Sequence, residues 1–200
     1  MLSLKKINKN FLNPVLKDFS YDFKLGNSYR ISGKNGVGKT TLLKIVKGIY
    51  IQDDGDIYIG NKTLNHNDVS YIDNDFRSFI HRLSVDENLR YFNSLHGQSA
   101  ITEESKKILH YFDVENLKDL KFSDLSQGQM QIISIIRGIV NKPKILLLDE
   151  CISALDKGFI LKFEKWLMNY LHKGNRMVIF TSHHKNVFDA LQYIEVKIQS

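Results

Sequence analysis

Apolar residues change their period repeatedly along the chain, and each change marks a predicted element. SYRIS at 28–32 reads as a strand running into a glycine-rich stretch, and Leu42, Leu43, Ile45, Val46 and Ile49 recur at helical spacing, predicting a helix over 41–49. Residues 56–59 and 69–72 read as short strands, with the Gly60-Asn61 pair as a turn between them. Strand signals then stop, and helices are expected at 84–96 and 103–112. The first opens on SVDE, where Ser84 can cap the helix and Glu87 can close the box back onto the Ser84 amide. A small polar knot at 126–129 leads into a helical pattern over 129–140. Strand character returns at 145–148. A helix over 157–172 carries Phe159, Ile160, Phe163, Trp166, Leu167 and Tyr170 on one buried stripe and is ended by KGN at 173–175. Strands close the pattern at 177–180 and 193–198.

β-rich runs alternating with helices predict an α/β fold with much parallel sheet. Residues 73–122 stand out as a helical insertion, extended to about 140 by the helix after the polar knot.

Composition narrows the picture modestly. Two hundred residues with 42% hydrophobic and 25% charged content suit one globular domain with a real core. No apolar run approaches the roughly 18 residues a membrane span needs, so a cytoplasmic chain is expected. The +6 formal charge is spread among acidic residues without a basic tract, so nucleic acid is not expected as a partner; nucleotide phosphates suit the balance equally well.

Chemistry enters at Gly33-Lys34-Asn35-Gly36-Val37-Gly38-Lys39-Thr40, which satisfies G-x-x-x-x-G-K-[ST] between a predicted strand and a predicted helix. Glycines let backbone amides and a helix N-terminus point at phosphate oxygens. Gly33, Asn35, Gly36, Gly38, Lys39, Thr40 and Thr41 are therefore candidate ATP ligands. Lys39 is expected to reach the β- and γ-phosphates, and Thr40 to ligate Mg²⁺. The apolar strand KILLLDE at 144–150 delivers two carboxylates at its carboxyl end, where ligands bind in open α/β sheets. Asp149 is the candidate for holding Mg²⁺ through water, and Glu150 for polarising the water that attacks the γ-phosphate.

Together with the glycine loop at 33–40 and the carboxylate strand at 144–150, LSQGQ at 125–129, SALD at 153–156 and TSHH at 181–184 stand in the order found in ATP-binding cassette (ABC) ATPases, which the chain resembles from end to end. The resemblance implies a P-loop NTPase fold of ABC type over 1–200: a mostly parallel core sheet, N-terminal antiparallel strands, and a helical subdomain at about 73–140. It implies that Ser126, Gly128 and Gln129 face ATP held by a second cassette, and that Asp156 crosses the dimer interface. It also implies that His183 hydrogen-bonds the γ-phosphate and joins Glu150 and Lys39 in catalysis. Read without the family, Ser126 is simply a helix N-cap. An aromatic is expected to stack on adenine from upstream of the glycine loop. Phe11 is the candidate, because Phe19, Tyr21 and Phe23 alternate as a strand would.

Three departures stand out. The family usually has a glutamine after the third strand that links Mg²⁺ to the membrane partner, whereas this chain reads SYIDNDFRSF; Asn74 is the nearest substitute and Asp75 the runner-up. The first glycine of the signature is Gln127. Cys151 stands where proline usually follows the catalytic glutamate, and reads as a small structural residue. The stretch 75–89 is similar to that of small export-type cassettes. The expectation is thus an ATP-hydrolysing subunit of an ABC transporter, on the export side, with a separate integral membrane subunit and a homodimer or a homologous cassette as partners. It would sit in the cytoplasm, held to the inner membrane face by that partner. The competing expectation is a non-transport cassette acting on nucleic acid or ribosomes, although neither a coiled-coil insertion nor a second cassette is present.

Overall fold

The structure is a computed structural model that describes residues 1–95, 103–183 and 187–198. The expected positions His96 and His184 lie outside the described residues. The chain divides into two compact units, one comprising Met1–Tyr71, Pro143–Glu150 and Phe163–Ser200, the other Ile72–Lys142 and Cys151–Lys162.

In the first unit, β1 (Leu2–Asn10) pairs antiparallel with β2 (Pro14–Phe23) and with β4 (Asp54–Ile59), and β5 (Lys62–Thr63) completes a sheet of order β2-β1-β4-β5. Leu2, Leu4 and Ile7 of β1 are buried, so the inward face skips a residue. Lys6 has φ 49°, and the register with β2 shifts between Leu4 and Ile7. An extra residue of this kind breaks a period of two. The strand therefore escapes a simple alternation reading.

The second sheet has the order β6 (Val69–Ile72), β7 (Ile145–Asp149), β8 (Met177–Thr181), β3 (Ser28–Ser32), β9 (Ile194–Lys197). β7–β8, β8–β3 and β3–β9 are parallel. Every residue of β7 and of β8 is buried, which is why each reads as an unbroken apolar run. Leu4, Leu43, Val46, Leu147, Ile179 and Val196 belong to one continuous core that both sheets share with α1 (Lys39–Lys47).

α1 begins two residues earlier than the apolar spacing predicts. Gly38, at φ 106°, ends the glycine loop and lets Lys39 and Thr40 enter the helix, and Gly48 closes it in the left-handed region. Ile49 thus lies beyond the helix and is 52% exposed, which corrects the expectation that it packs with Leu42, Leu43, Ile45 and Val46.

The second unit carries α2 (Val85–Leu95), α3 (Glu103–Tyr111) and α4 (Gln127–Ile139), and α5 (Lys157–His172) starts within it. The Ser84 box forms as the sequence predicts: Ser84 N donates to Glu87 Oε2 at 2.7 Å and Glu87 N to Ser84 Oγ at 3.1 Å. Of the α5 stripe, Phe159, Phe163, Leu167 and Tyr170 are buried, while Ile160 and Trp166 are half-buried.

Within this unit the Phe79 and Phe122 rings stack at 4.1 Å. The Arg137 guanidinium lies 4.3 Å from the Phe79 centroid and 4.6 Å from that of Phe92, and donates to Ser78 Oγ at 2.6 Å. Burial pushes its pKa down to about 10, opposed by Asp73, so the charge is kept at neutral pH. Two cation–π contacts and the hydrogen bond to Ser78 are lost together in Arg137→Ala. The expected cost is about 2–4 kcal/mol, read as a lower midpoint in urea unfolding.

Candidate functional site

The phosphate loop is built by backbone conformation before any side chain acts. A Cβ on Gly38 would sit 2.9 Å from Leu16 Cδ2 and 3.0 Å from the Val15 carbonyl oxygen, at a φ that L-residues rarely adopt. Only glycine lets the loop pass this close to β2. Lys39 Nζ donates to the Gly33 and Lys34 carbonyls at 3.0 and 3.1 Å, folding the ammonium across the loop. Phe11, Asn35, Gly36, Gly38, Lys39, Thr40, Thr41, Glu150 and His183 line one cavity of about 340 Å³, together with Val15. Most of the first unit's sequence-predicted ligands therefore share one space.

Asp149 is 6% exposed at the end of β7. Its Oδ1 accepts from Thr181 Oγ1 at 2.7 Å and from Thr40 Oγ1 at 3.2 Å, while its Oδ2 accepts from Tyr71 Oη at 2.8 Å. Three hydroxyls thus hold one carboxylate. A hydroxyl and a carboxylate oxygen side by side are hard oxygen donors, the chemistry that suits Mg²⁺ completed by phosphate and water. Thr40 and Asp149 fit the ion on these grounds.

Glu150 follows in a strained backbone, φ 53°, at the strand end. Its amide donates to Thr181 Oγ1 at 3.1 Å, and its Oε2 accepts from His183 N at 3.1 Å. The His183 Nε2 lies 3.5 Å from Glu150 Oε1. Arg30 Nη2 donates to the Ser182 carbonyl at 3.2 Å, tying the segment that carries His183 to β3. A half-buried carboxylate beside an exposed imidazole can hold and polarise a water.

Phe11 stands in the turn between β1 and β2, 55% exposed. Phe19 and Tyr21 lie within β2 instead, Tyr21 meeting Phe23 and Tyr29 at ring distances of 4.6 and 6.1 Å.

The remaining expected residues lie in the second unit. Ser126 caps α4 through a box: Ser126 Oγ accepts from Gln129 N at 3.3 Å, and Gln129 Oε1 accepts from Ser126 N at 2.9 Å. The helix therefore starts at Gln127, two residues before the expected 129, because Gln129 satisfies the cap from the third helical position. Gln127, which replaces the signature's glycine, is an exposed first-turn residue. Asp156 Oδ1 accepts from Phe159 N at 2.9 Å at the start of α5. Asn74 Nδ2 donates to Ser153 Oγ at 3.3 Å, and Asp75 pairs with Arg77 through two oxygens. Cys151 is buried, consistent with a small packing residue.

A Cβ on Gly128 would come 3.0 Å from the Ala154 carbonyl oxygen. In Gly128→Ala, a helix-propensity gain of about 1 kcal/mol opposes that contact, so the unfolding free energy from urea titration should change by less than about 1 kcal/mol.

Sequence reasoning missed Tyr71 and Arg30. Strand alternation at 69–72 marks Tyr71 as a strand residue, but nothing in the sequence says that its hydroxyl ends on Asp149.

The glycine loop at a helix start, set beside a carboxylate at the end of a parallel strand, defines a P-loop nucleotide-binding protein. The chain belongs to the ABC transporter family, whose family model matches residues 16–153. It is 37% identical over 163 residues to the spermidine/putrescine import ATP-binding protein PotA of Fusobacterium nucleatum, covering 78% of this chain and 43% of PotA. It is 33% identical over 201 residues to the ribose import ATP-binding protein RbsA of Caldanaerobacter subterraneus, covering 93% of this chain and 40% of RbsA. The chain thus spans less than half the length of these curated relatives. The fold is that of the ABC cassette MJ0796, solved as a dimer in a post-hydrolysis state bound to ADP and Pi, with a TM-score of 0.86 at 23% identity over 100% of this chain and 97% of that one.

Proposed function

We propose that this chain is the ATP-binding and ATP-hydrolysing subunit of an ABC transporter. The observation that carries the reading is the single cavity shared by Phe11, the glycine loop, Glu150 and His183. Lys39 leaves the Gly33 and Lys34 carbonyls to meet the β- and γ-phosphates. Thr40 and Asp149 hold Mg²⁺, which neutralises phosphate charge. Glu150 takes a proton from the attacking water, and its tie to His183 N keeps the carboxylate aimed.

Ser126 and Gly128 serve a second cassette. Their half of the site completes ATP bound to another copy or to a homologue, with Gln129 and Asp156 at the same interface. MJ0796 is itself dimeric, which supports this arrangement. Asn74 is assigned to the link between Mg²⁺ and an integral membrane subunit that keeps the chain at the cytoplasmic face. Among the described residues no helix is long and apolar enough to cross a membrane.

Direction is the finer part of the proposal. The stretch 75–89 favours export, whereas PotA and RbsA are both named for import. The test is reconstitution with a membrane subunit that co-purifies with this chain. ATP-dependent cargo movement across proteoliposomes supports the assignment, and its sense decides between export and import. Co-purification with RNA or ribosomes instead of membrane protein would overturn it.

A further inference from the structure

Phe11 poses a mechanical problem. It sits in a turn of three residues between two strands, more than half exposed, and a ring that stacks on a base has to hold its plane. Two neighbours from the segment after α1 supply that restraint.

Tyr50 meets Phe11 edge to face, at a centroid distance of 5.6 Å and an interplanar angle of 73°. Asp53 grips the strand end immediately before it. Its Oδ2 accepts from Asn10 N at 2.6 Å and from Asn10 Nδ2 at 3.1 Å, and its Oδ1 accepts from Lys9 Nζ at 2.6 Å. Asp53 N donates back to the Asn8 carbonyl at 2.9 Å. These donors hold the Asp53 carboxyl below the usual carboxylate range, led by Lys9 and then the Asn10 amide. Lys9 also places its ammonium 5.5 Å from the Phe11 centroid.

The same segment is fastened to α1. Ile49 N and Tyr50 N both donate to the Lys44 carbonyl, at 2.8 and 3.2 Å, and Lys44 Nζ lies 5.6 Å from the Tyr50 centroid. α1 carries Lys39 and Thr40 at its other end. A helix of 9 residues is a rigid spacer of roughly 13 Å, so the phosphate loop and the base ring are referred to one element.

We propose that Tyr50 and Asp53 are positioning residues for the nucleotide base, bracing Phe11 from the C-terminal end of the helix whose N-terminal end holds the phosphates. The inference rests on the assignment of Phe11 to base stacking made above. It implies that the brace acts on the adenosine half of ATP and not on the triphosphate.

The experiment compares the affinity of ATP with that of inorganic tripolyphosphate, each by displacement of a fluorescent ATP analogue, on the full chain and on variants. Tyr50→Ala and Asp53→Ala should each weaken ATP about 3- to 10-fold while tripolyphosphate stays within about twofold, and Tyr50→Phe should bind both as the parent does. Tyr50→Leu, which keeps apolar volume but not the ring, should behave as Tyr50→Ala and serves if the alanine variant does not fold. Equal weakening of both ligands would assign these residues to the scaffold and overturn the inference. So would unchanged ATP affinity in the Tyr50 and Asp53 variants when Phe11→Ala binds ATP less well. An unchanged ATP affinity in Phe11→Ala removes the stacking assignment itself, and the brace with it.

Discussion

Lys39→Ala is expected to weaken ATP binding at least about 100-fold and to abolish measurable hydrolysis while the chain stays folded. Hydrogen bonds to charged groups contribute about 1.5–3 kcal/mol each, and the proposed role gives the ammonium two or more with the β- and γ-phosphates. Its contacts without nucleotide are to two loop carbonyls, Gly33 and Lys34, both at the protein surface or partly so. Water can replace a donor there, so the melting temperature should shift by only a few degrees. Nucleotide titration and phosphate release, set against a thermal melt, measure the three quantities. Undiminished hydrolysis in the variant would remove the phosphate assignment of the glycine loop.

Glu150→Gln should leave ATP binding intact and slow turnover by about 10²- to 10⁴-fold, the usual scale for loss of a general base. The substitution conserves shape. Gln keeps an oxygen to accept from His183 N, and it inherits the backbone at φ 53° unchanged. What disappears is the carboxylate charge proposed to take the proton from water. With hydrolysis blocked, ATP stays sandwiched, and light scattering should report a dimer with Mg-ATP and a monomer without it. A monomer under both conditions would count against assembly across Ser126 and Gly128.

Motif residues that act through backbone geometry were legible, because their neighbours in sequence are their neighbours in space. The glycine loop must fold over its own helix start, and Asp149 and Glu150 must emerge at the end of an apolar strand. The Ser84 box and the span of α5 were legible for the same local reason. The spacing places the start of α4 at 129, two residues late, because Gln129 is the third helical residue, from which its side chain completes the Ser126 cap. Helical spacing runs through Gly48 to Ile49, whereas the left-handed conformation of Gly48 ends the helix.

By itself, the sequence determined the class of this protein. The order of the glycine loop, LSQGQ, the carboxylate strand, SALD and TSHH already places it among the ABC cassettes, and the alternation of strands with helices sets its fold class. Only the tertiary structure decided which groups meet across long separations: Tyr71, Thr40 and Thr181 around Asp149, and Asp53 on Lys9 and Asn10 beside Phe11. The reason is physical. Periodicity and caps are set within a few residues of chain, whereas a hydroxyl or carboxylate takes its partner from whatever strand the sheet order brings alongside, and β6 and β8 reach β7 from opposite directions along the sequence.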